Sequence, residues 1–394
     1  MIRKIILLLM FPNLMLAQNI EKLATFGFEN LQERYQKDTY TLFYEDNLYR
    51  FPADGLYKVI DLIEPNNKAG DIKVVILNKG IEIVEMVFKT EDLKRYKQNE
   101  IDFENLLSKS IIDFTDAKVD SNPVTNSSYF KTDLSLRFKI DYTLGNFDNP
   151  IRQRVNFQPF LSSDLSKGVN LEGYYNVPKF DELGNLEPQV GMLRLSNDFK
   201  LNKSGFLNLN YGFYTINRFG LSMNYLKFLY KDQLRFKLHT GITRFGRLNK
   251  NLILFYEPSI NLVIDYFGDL TYRIHKYNMD TTFRYGSFIF GDLGYSIQVR
   301  RFSKRRFIGL FYKKTTFGTM VGFDFSLPIP IKKYNRKRPV RVKLYDDFYM
   351  PYNYRSDSQV AELYYEGDNI ISQMTNYFPG MLRKGLITAS KKGL

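Results

Sequence analysis

Two histidines and no cysteine are what this chain of 394 residues offers to the chemistries that depend on those side chains. A thiol nucleophile, a disulfide framework and a cysteine zinc site are excluded, and His239 and His275 alone cannot build a histidine metal cluster. A hydrolase built on either would need a nucleophile and an orienting acid around the imidazole. His239 lies on the polar parity of an alternating segment with Thr243 two side chains further on, and His275 shares a face with Thr271 and Arg273. No Gly-x-Ser-x-Gly, Gly-rich phosphate loop or metal-spaced ligand set accompanies them. The adjacent carboxylates Glu45-Asp46 and Asp346-Asp347 would point to opposite sides of a strand, so they do not form a glycosidase pair. The chain is therefore expected to be neither an enzyme nor a cofactor carrier, with both histidines as lumen or interface residues.

Charge is the stronger signal. Lys plus Arg number 56 against 42 Asp plus Glu, a formal charge of +14. The densest run is Lys332, Lys333, Arg336, Lys337 and Arg338, after Pro328-Ile329-Pro330 and before Arg341 and Lys343. Alone it would suit nucleic acid. The N-terminus argues otherwise: basic Met1–Lys4, a short apolar run and a small residue at Ala17 read as a secretory signal peptide over residues 1–17. With Pro12-Asn13 inside it, the run falls short of the roughly 20 residues a spanning helix needs. No nucleic acid partner is expected, and the basic run reads as a rim meeting lipid phosphates or an acidic glycan, with a solvated loop as the plain alternative.

The elements that would position these groups change character along the chain. Residues 18–120 read as a small α+β domain, with strands over Phe26–Tyr35 and Tyr40–Arg50, a helix over Pro52–Ile63 and a hairpin over Asp71–Lys89 turning at Asn78-Lys79-Gly80. The continuous apolar run Val74-Val75-Ile76-Leu77 predicts a strand buried on both faces. Residues 121–128 have linker composition. From 129 to 348 the period is two: Leu134, Leu136, Phe138, Ile140 and Tyr142 alternate with Asp133, Ser135, Arg137, Lys139 and Asp141, and similar copies follow. Aromatic residues make up 16%, with 29 Tyr, 34 Phe and no Trp. Long two-faced strands rich in Tyr and Phe predict a transmembrane antiparallel β-barrel of about 12 strands, an even number, because a sheet in lipid must close to pair its backbone groups. A soluble sandwich also alternates, but favours Val and Ile on its apolar face. The last strand is expected to end near Leu344 or Phe348, leaving 349–394 as a C-terminal tail.

With the apolar parity toward lipid, Arg137, Lys139, Arg152, Arg154, Arg194, Arg235, Lys237, Arg273 and Arg300 face a lumen, with Asp133, Asp141, Asp265 and Asp324 as partners. Nine bases against four acids would concentrate anions. The alternative, equally weighted, is that these groups pair with one another and fill a narrow barrel.

Phe323-Asp324-Phe325-Ser326-Leu327-Pro328-Ile329-Pro330, Lys332-Lys333-Tyr334, Arg336-Lys337-Arg338 and Val340-Arg341-Val342 together resemble the closing segment of the YjbH/GfcD family of outer-membrane barrels. Gly191–Phe199, Tyr211–Tyr214 and Asn217–Leu221 look like its central strands, and Glu45–Arg50 like its N-terminal domain. The resemblance implies a role in exopolysaccharide or capsule export or assembly at the outer membrane of a Gram-negative envelope, with a periplasmic N-terminal domain docking on other assembly proteins. Two departures stand beside it: the chain has no room for the second barrel of longer members, and Ser166-Lys167-Gly168 lacks a Trp before the Gly. The expected partners are outer-membrane lipid, an anionic polysaccharide and envelope assembly proteins. The alternatives are an anion-selective pore and a barrel hydrolase acting on lipid or glycan.

Overall fold

The computed structural model describes residues 18–65, 68–120, 124–144, 151–184, 187–230, 232–248, 254–256, 262–303, 306–329, 333–336, 338–355 and 359–392. The expected signal peptide 1–17, part of the linker (121–123), and Lys332 and Lys337 lie outside the described residues. The chain divides into two units, Met1–Tyr129 with Lys332–Lys337 and Gln373–Leu394, and Phe130–Ile331 with Arg338–Ser372.

The first unit is a five-stranded sheet in sequential order, β1 (Glu29–Gln36), β2 (Thr39–Glu45), β3 (Asp71–Asn78), β4 (Ile81–Lys89) and β5 (Ile111–Phe114). Only β2 and β3 are parallel, and their connection carries α1 (Pro52–Leu62), the crossover a parallel pair requires. Val74 to Leu77 are buried, as a two-sided strand demands. Buried Glu45 closes the β3–β4 turn, accepting from the amides of Lys79 (2.8 Å) and Gly80 (2.9 Å). α2 (Thr90–Lys97) and α3 (Phe103–Lys109) follow, the latter capped by Asp102, which accepts from Asn105 N at 2.7 Å.

Residues 18–26 are helical and β1 begins only at Glu29, later than the strand expected from Phe26. Ile20 and Leu23, three apart, are buried, which fits a helical face. In the former linker stretch, Thr125 bridges Leu31 and the Ser128 amide donates to Asn30 Oδ1 at 3.0 Å. The end of the chain also belongs to this unit. α4 (Pro379–Ser390) lies so close to α1 that a Cβ on Gly385 would come within 2.5 Å of Ala53 Cβ. Arg383 donates to Leu107 O (2.7 Å) and Ser110 O (2.8 Å), and Asn78 Nδ2 donates to Gln373 Oε1 (2.7 Å) and Tyr377 OH (2.8 Å).

The second unit is a large sheet. Its strands are β6 (Thr132–Leu144), β7 (Ile151–Ser166), β8 (Val169–Asp181), β9 (Gln189–Asn202), β10 (Gly205–Tyr214), β11 (Arg218–Leu229), β12 (Leu234–Leu248), β13 (Leu254–Tyr256), β14 (Val263–Ile274), β15 (Met279–Ser287), β16 (Leu293–Ser303), β17 (Arg306–Thr315), β18 (Gly318–Pro328), β19 (Val340–Leu344) and β20 (Asp347–Arg355). They run β19-β6-β7-β8-β9-β10-β11-β12-β14-β15-β16-β17-β18-β20, with β13 attached to β12. Every pair is antiparallel except β19 with β6. The strand expected to end by Phe348 continues to Arg355. Aromatic residues at Phe348, Tyr349, Tyr352 and Tyr354, on both parities, with Pro351 among them, hide the alternation there.

The stretch 340–355 touches both ends of this sheet: Val340–Leu344 pair with β6, and Asp347–Arg355 pair with β18. The Tyr142 hydroxyl on β6 donates to Pro351 O on β20 at 3.0 Å, and the rings of Tyr142 and Tyr352 stack with centroids 6.1 Å apart.

Candidate functional site

Burial in this sheet is inverted relative to a water-soluble protein. On β10, Tyr211 is 53% exposed and Asn210 2%; on β14, Ile264 is 56% exposed and Asp265 is fully buried. The same holds for Leu195 against Ser196 on β9 and Ile242 against Thr243 on β12. Folded proteins bury polar groups only with partners, and here the partners come from neighbouring strands.

Alternation puts every second residue on one face and register sets which of them meet. Glu172 lies directly across from Arg194, Arg154 from Asp181, Arg273 from Asp280 and Asp269 from Arg284. Arg194 Nη2 donates to Glu172 Oε2 at 2.7 Å and its Nη1 to Asn210 Oδ1 at 2.6 Å. Arg273 Nη1 donates to Asp280 Oδ1 at 3.0 Å, and Arg235 binds the other oxygen of Asp280. Arg284 grips Asp269 with two nitrogens, at 2.6 and 2.8 Å. Arg300 reaches Asp324 across Gly309, where any Cβ would fall 2.2 Å from Asp324 Oδ1.

A ladder of amide side chains runs from Arg194 across the neighbouring strands. Asn210 Nδ2 donates to Asn208 Oδ1 (2.7 Å), and Asn208 Nδ2 donates to Asp198 Oδ1 (2.7 Å). Asn224 Nδ2 donates to Asn208 Oδ1 (3.3 Å), and Asn224 Oδ1 meets His239 Nδ1 at 3.0 Å. His239 Nε2 lies 2.7 Å from Asp265 Oδ2, and its ring stacks on Phe267 at 4.5 Å between centroids.

Residues 359–372 lie on this polar face with no ladder of their own and are held by wall side chains. The amides of Ala361, Tyr365, Asp368 and Ile370 donate to Asp292 (2.8 Å), Thr215 (2.7 Å), Glu172 (3.0 Å) and Asp198 (3.3 Å). Tyr364 stacks on Tyr214 (4.9 Å) and its hydroxyl donates to Asp265 Oδ2 (3.3 Å). Glu366 Oε2 accepts from Asn224 Nδ2 at 2.8 Å. Val360 and Ala361 pack with Phe288 and Met320, and the Arg137 guanidinium lies over the Tyr365 ring at 5.5 Å. Gly367, with φ +81°, comes so near the wall that a Cβ would fall 2.1 Å from Arg194 Nε.

These contacts also fix the curvature of the sheet. Lys313 on β17 donates to Ala361 O, while Arg137 on β6 covers Tyr365. Ten strand spacings separate β17 from β6, about 48 Å on a flat sheet. Residues 361 to 365 span at most about 14 Å of chain, a shortfall that two long side chains do not bridge. The sheet is therefore curved with its polar face inward around the segment.

Of the nine bases expected to face a lumen, Arg194, Arg235, Arg273 and Arg300 are paired as above, and Arg154 pairs with Asp181 at 2.9 Å. Lys139 pairs with Asp141 at 2.9 Å near the exposed end of its strand. Arg152 donates to Glu182 O, Lys237 lies over Phe267 (5.5 Å) and Arg137 over Tyr345 (4.8 Å). Sequence alone counted four acids as their partners; register supplies Glu172, Asp181, Asp269 and Asp280 as well. His275 sits in a turn, 3.4 Å from Asp232.

The expected basic rim is divided. Lys333 bridges Tyr49, with its ammonium 3.9 Å from the Phe26 ring centroid, and Arg336 pairs with buried Glu29 at 3.6 Å, all within the first unit. Arg338 is exposed. No protein-family model, curated protein or solved structure matches the chain.

Proposed function

We propose that the chain is an outer-membrane β-barrel protein that assists the export or assembly of an exopolysaccharide or capsule. The membrane part of this reading is carried by one observation: a sheet whose apolar side chains are exposed and whose polar side chains are buried. Lipid is the solvent that makes such an arrangement stable, and it requires a sheet without open edges. The double engagement of 340–355 with β6 and β18 supports closure. The exposed Tyr and Phe would meet the bilayer and its interfaces.

The glycan part rests on the resemblance of the central and closing segments to polysaccharide-export barrels, and on a polar face of Asn, Ser, Thr and basic groups suited to hydroxyls and carboxylates. The first unit would contact other envelope assembly proteins. A freely conducting pore is the weaker reading, because residues 359–372 and the ion pairs occupy the polar face. A hydrolase is weaker still, since Asn224 and Asp265 engage both ring nitrogens of His239 and Phe267 covers its ring.

The test is surface and periplasmic polysaccharide measured in the same cells after clean deletion of the gene. A fall at the surface with periplasmic accumulation is expected; unchanged surface polysaccharide in cells that normally make the protein would overturn the glycan reading.

A further inference from the structure

The segment on the polar face and the wall beneath it are chemically complementary in a way that a structural filler does not require. Residues 359–372 carry Glu362, Glu366 and Asp368 and no base. The wall meets the segment with Arg137 over the Tyr365 ring, Arg194 beside Gly367 and Lys313 on Ala361 O, and with the acceptors Asp292, Glu172, Asp198 and Asp265 on its amides and the Tyr364 hydroxyl. The segment contributes two flat rings, Tyr364 stacked on Tyr214 and Tyr365 under the Arg137 guanidinium. The Asp368 carboxylate accepts from the hydroxyls of Tyr345 (3.0 Å) and Tyr365 (2.7 Å).

We infer that the wall beneath residues 359–372 is a binding groove for an acidic polymer of pyranose units, and that this segment occupies the groove in the polymer's place. The inference rests on the export reading above and adds to it the ligand class and the location of the site. A uronic acid chain offers the same kinds of group: carboxylates for Asn224 and Arg137, hydroxyl donors for Glu172, Asp198 and Asp292, and sugar faces for Tyr214. The segment is bound through wall side chains and not through a backbone ladder, so it can lift away without breaking the sheet. A neutral polymer would leave Arg137 without the charge of the nearby Asp368 carboxylate, which burial makes unfavourable.

The experiment uses the full chain refolded in detergent, with oligogalacturonate as probe and a dextran oligomer of equal length as the neutral control. Oligogalacturonate is expected to bind and to speed hydrogen exchange at Ala361, Tyr365, Asp368 and Ile370, while dextran does neither. Asp292→Cys with Ala361→Cys places two thiols at a contact in a chain that has no other cysteine. Oxidation of that pair should weaken binding by about tenfold or more, and reduction should restore it. Equal affinity in the oxidised and reduced forms, binding without faster exchange, or no binding to the unlocked protein would each overturn the inference. A second variant keeps the test decisive if the cysteine pair does not fold: Glu366→Gln with Asp368→Asn weakens the segment's seat and should raise affinity for the probe, and unchanged or lower affinity counts against the groove. Reduced surface polysaccharide in the deletion strain, together with no displacement by the probe, would remove this inference and leave the export reading standing.

Discussion

Arg194 and Glu172 face each other on adjacent strands at 2.7 Å, with side chains 0% and 2% exposed. Removing one partner leaves the other charge buried without this counter-charge. Arg194→Met or Glu172→Leu alone should therefore destabilise by about 3–5 kcal/mol. The double variant should recover much of that loss, since apolar replacement of a whole buried pair is often neutral. Urea midpoints from far-UV circular dichroism test this in a chain without tryptophan; a double variant no better than the singles would show that the pair acts mainly through Asn210 and the ladder.

Gly367 has a second requirement besides its positive φ, the close approach of Arg194. Gly367→Ala should combine backbone strain of about 1–3 kcal/mol with a steric conflict. The expected result is faster hydrogen exchange across 359–372 with the strand amides of β9 and β10 still protected. Unchanged exchange would mean that the wall relaxes around the methyl group.

For the membrane barrel proposed above, conductance separates a filled interior from an open one. In planar lipid bilayers the native chain should hold steady near baseline current. Replacing residues 359–372 by a Gly-Ser stretch of the same length should open conduction with a preference for anions, because three carboxylates leave and Arg137 and Lys237 remain. Equal conductance in the two proteins would show that the segment is not the obstruction.

Burial raises the Glu33 carboxyl above its ordinary value, partly offset by the hydrogen bond it accepts from Tyr40 at 2.8 Å. The folded chain then holds this proton to higher pH than the unfolded chain does. Its stabilising contribution is present below the ordinary carboxylate value and is lost as pH rises through the folded value. Glu33→Gln keeps the acceptor and removes the titration. It should slow hydrogen exchange in β1 and β2 at pH 7 relative to the native chain, with the difference vanishing below the ordinary carboxylate value; an equal difference at both pH values would assign the effect to packing.

The sheet was legible wherever the period of two was unbroken, as in Leu134–Tyr142, because a sheet with one apolar and one polar face writes itself into every second residue. Where aromatics stand on both parities, as in β20, the pattern disappeared and the strand's extent was missed. Charge pairing was legible only by sign. Arg273 with Asp280, and Glu172 with Arg194, meet through inter-strand register, a property of turns and pairing that no local window contains. Residues 359–372 left little signal: the amides of Ala361, Tyr365, Asp368 and Ile370 are bound by side chains from elsewhere in the sheet, and the helical turn at Ile370–Gln373 is too short to show a period. The nearest available hint was composition, an acidic and aromatic stretch with no base following a strongly basic one.

The first unit is made from three separate stretches of chain, and its last contribution, α4, comes after every strand of the second. On a growing polypeptide, β1 to β5 emerge early, yet Ala53 and Asn78 find their partners Gly385 and Gln373 only after every strand of the second unit has been made. The early sheet must therefore stay incomplete until the chain has travelled out to form the wall and come back. The first unit is consequently completed only after the strands of the second have been made, and a chain cut after Arg355 would lose part of the unit that precedes those strands.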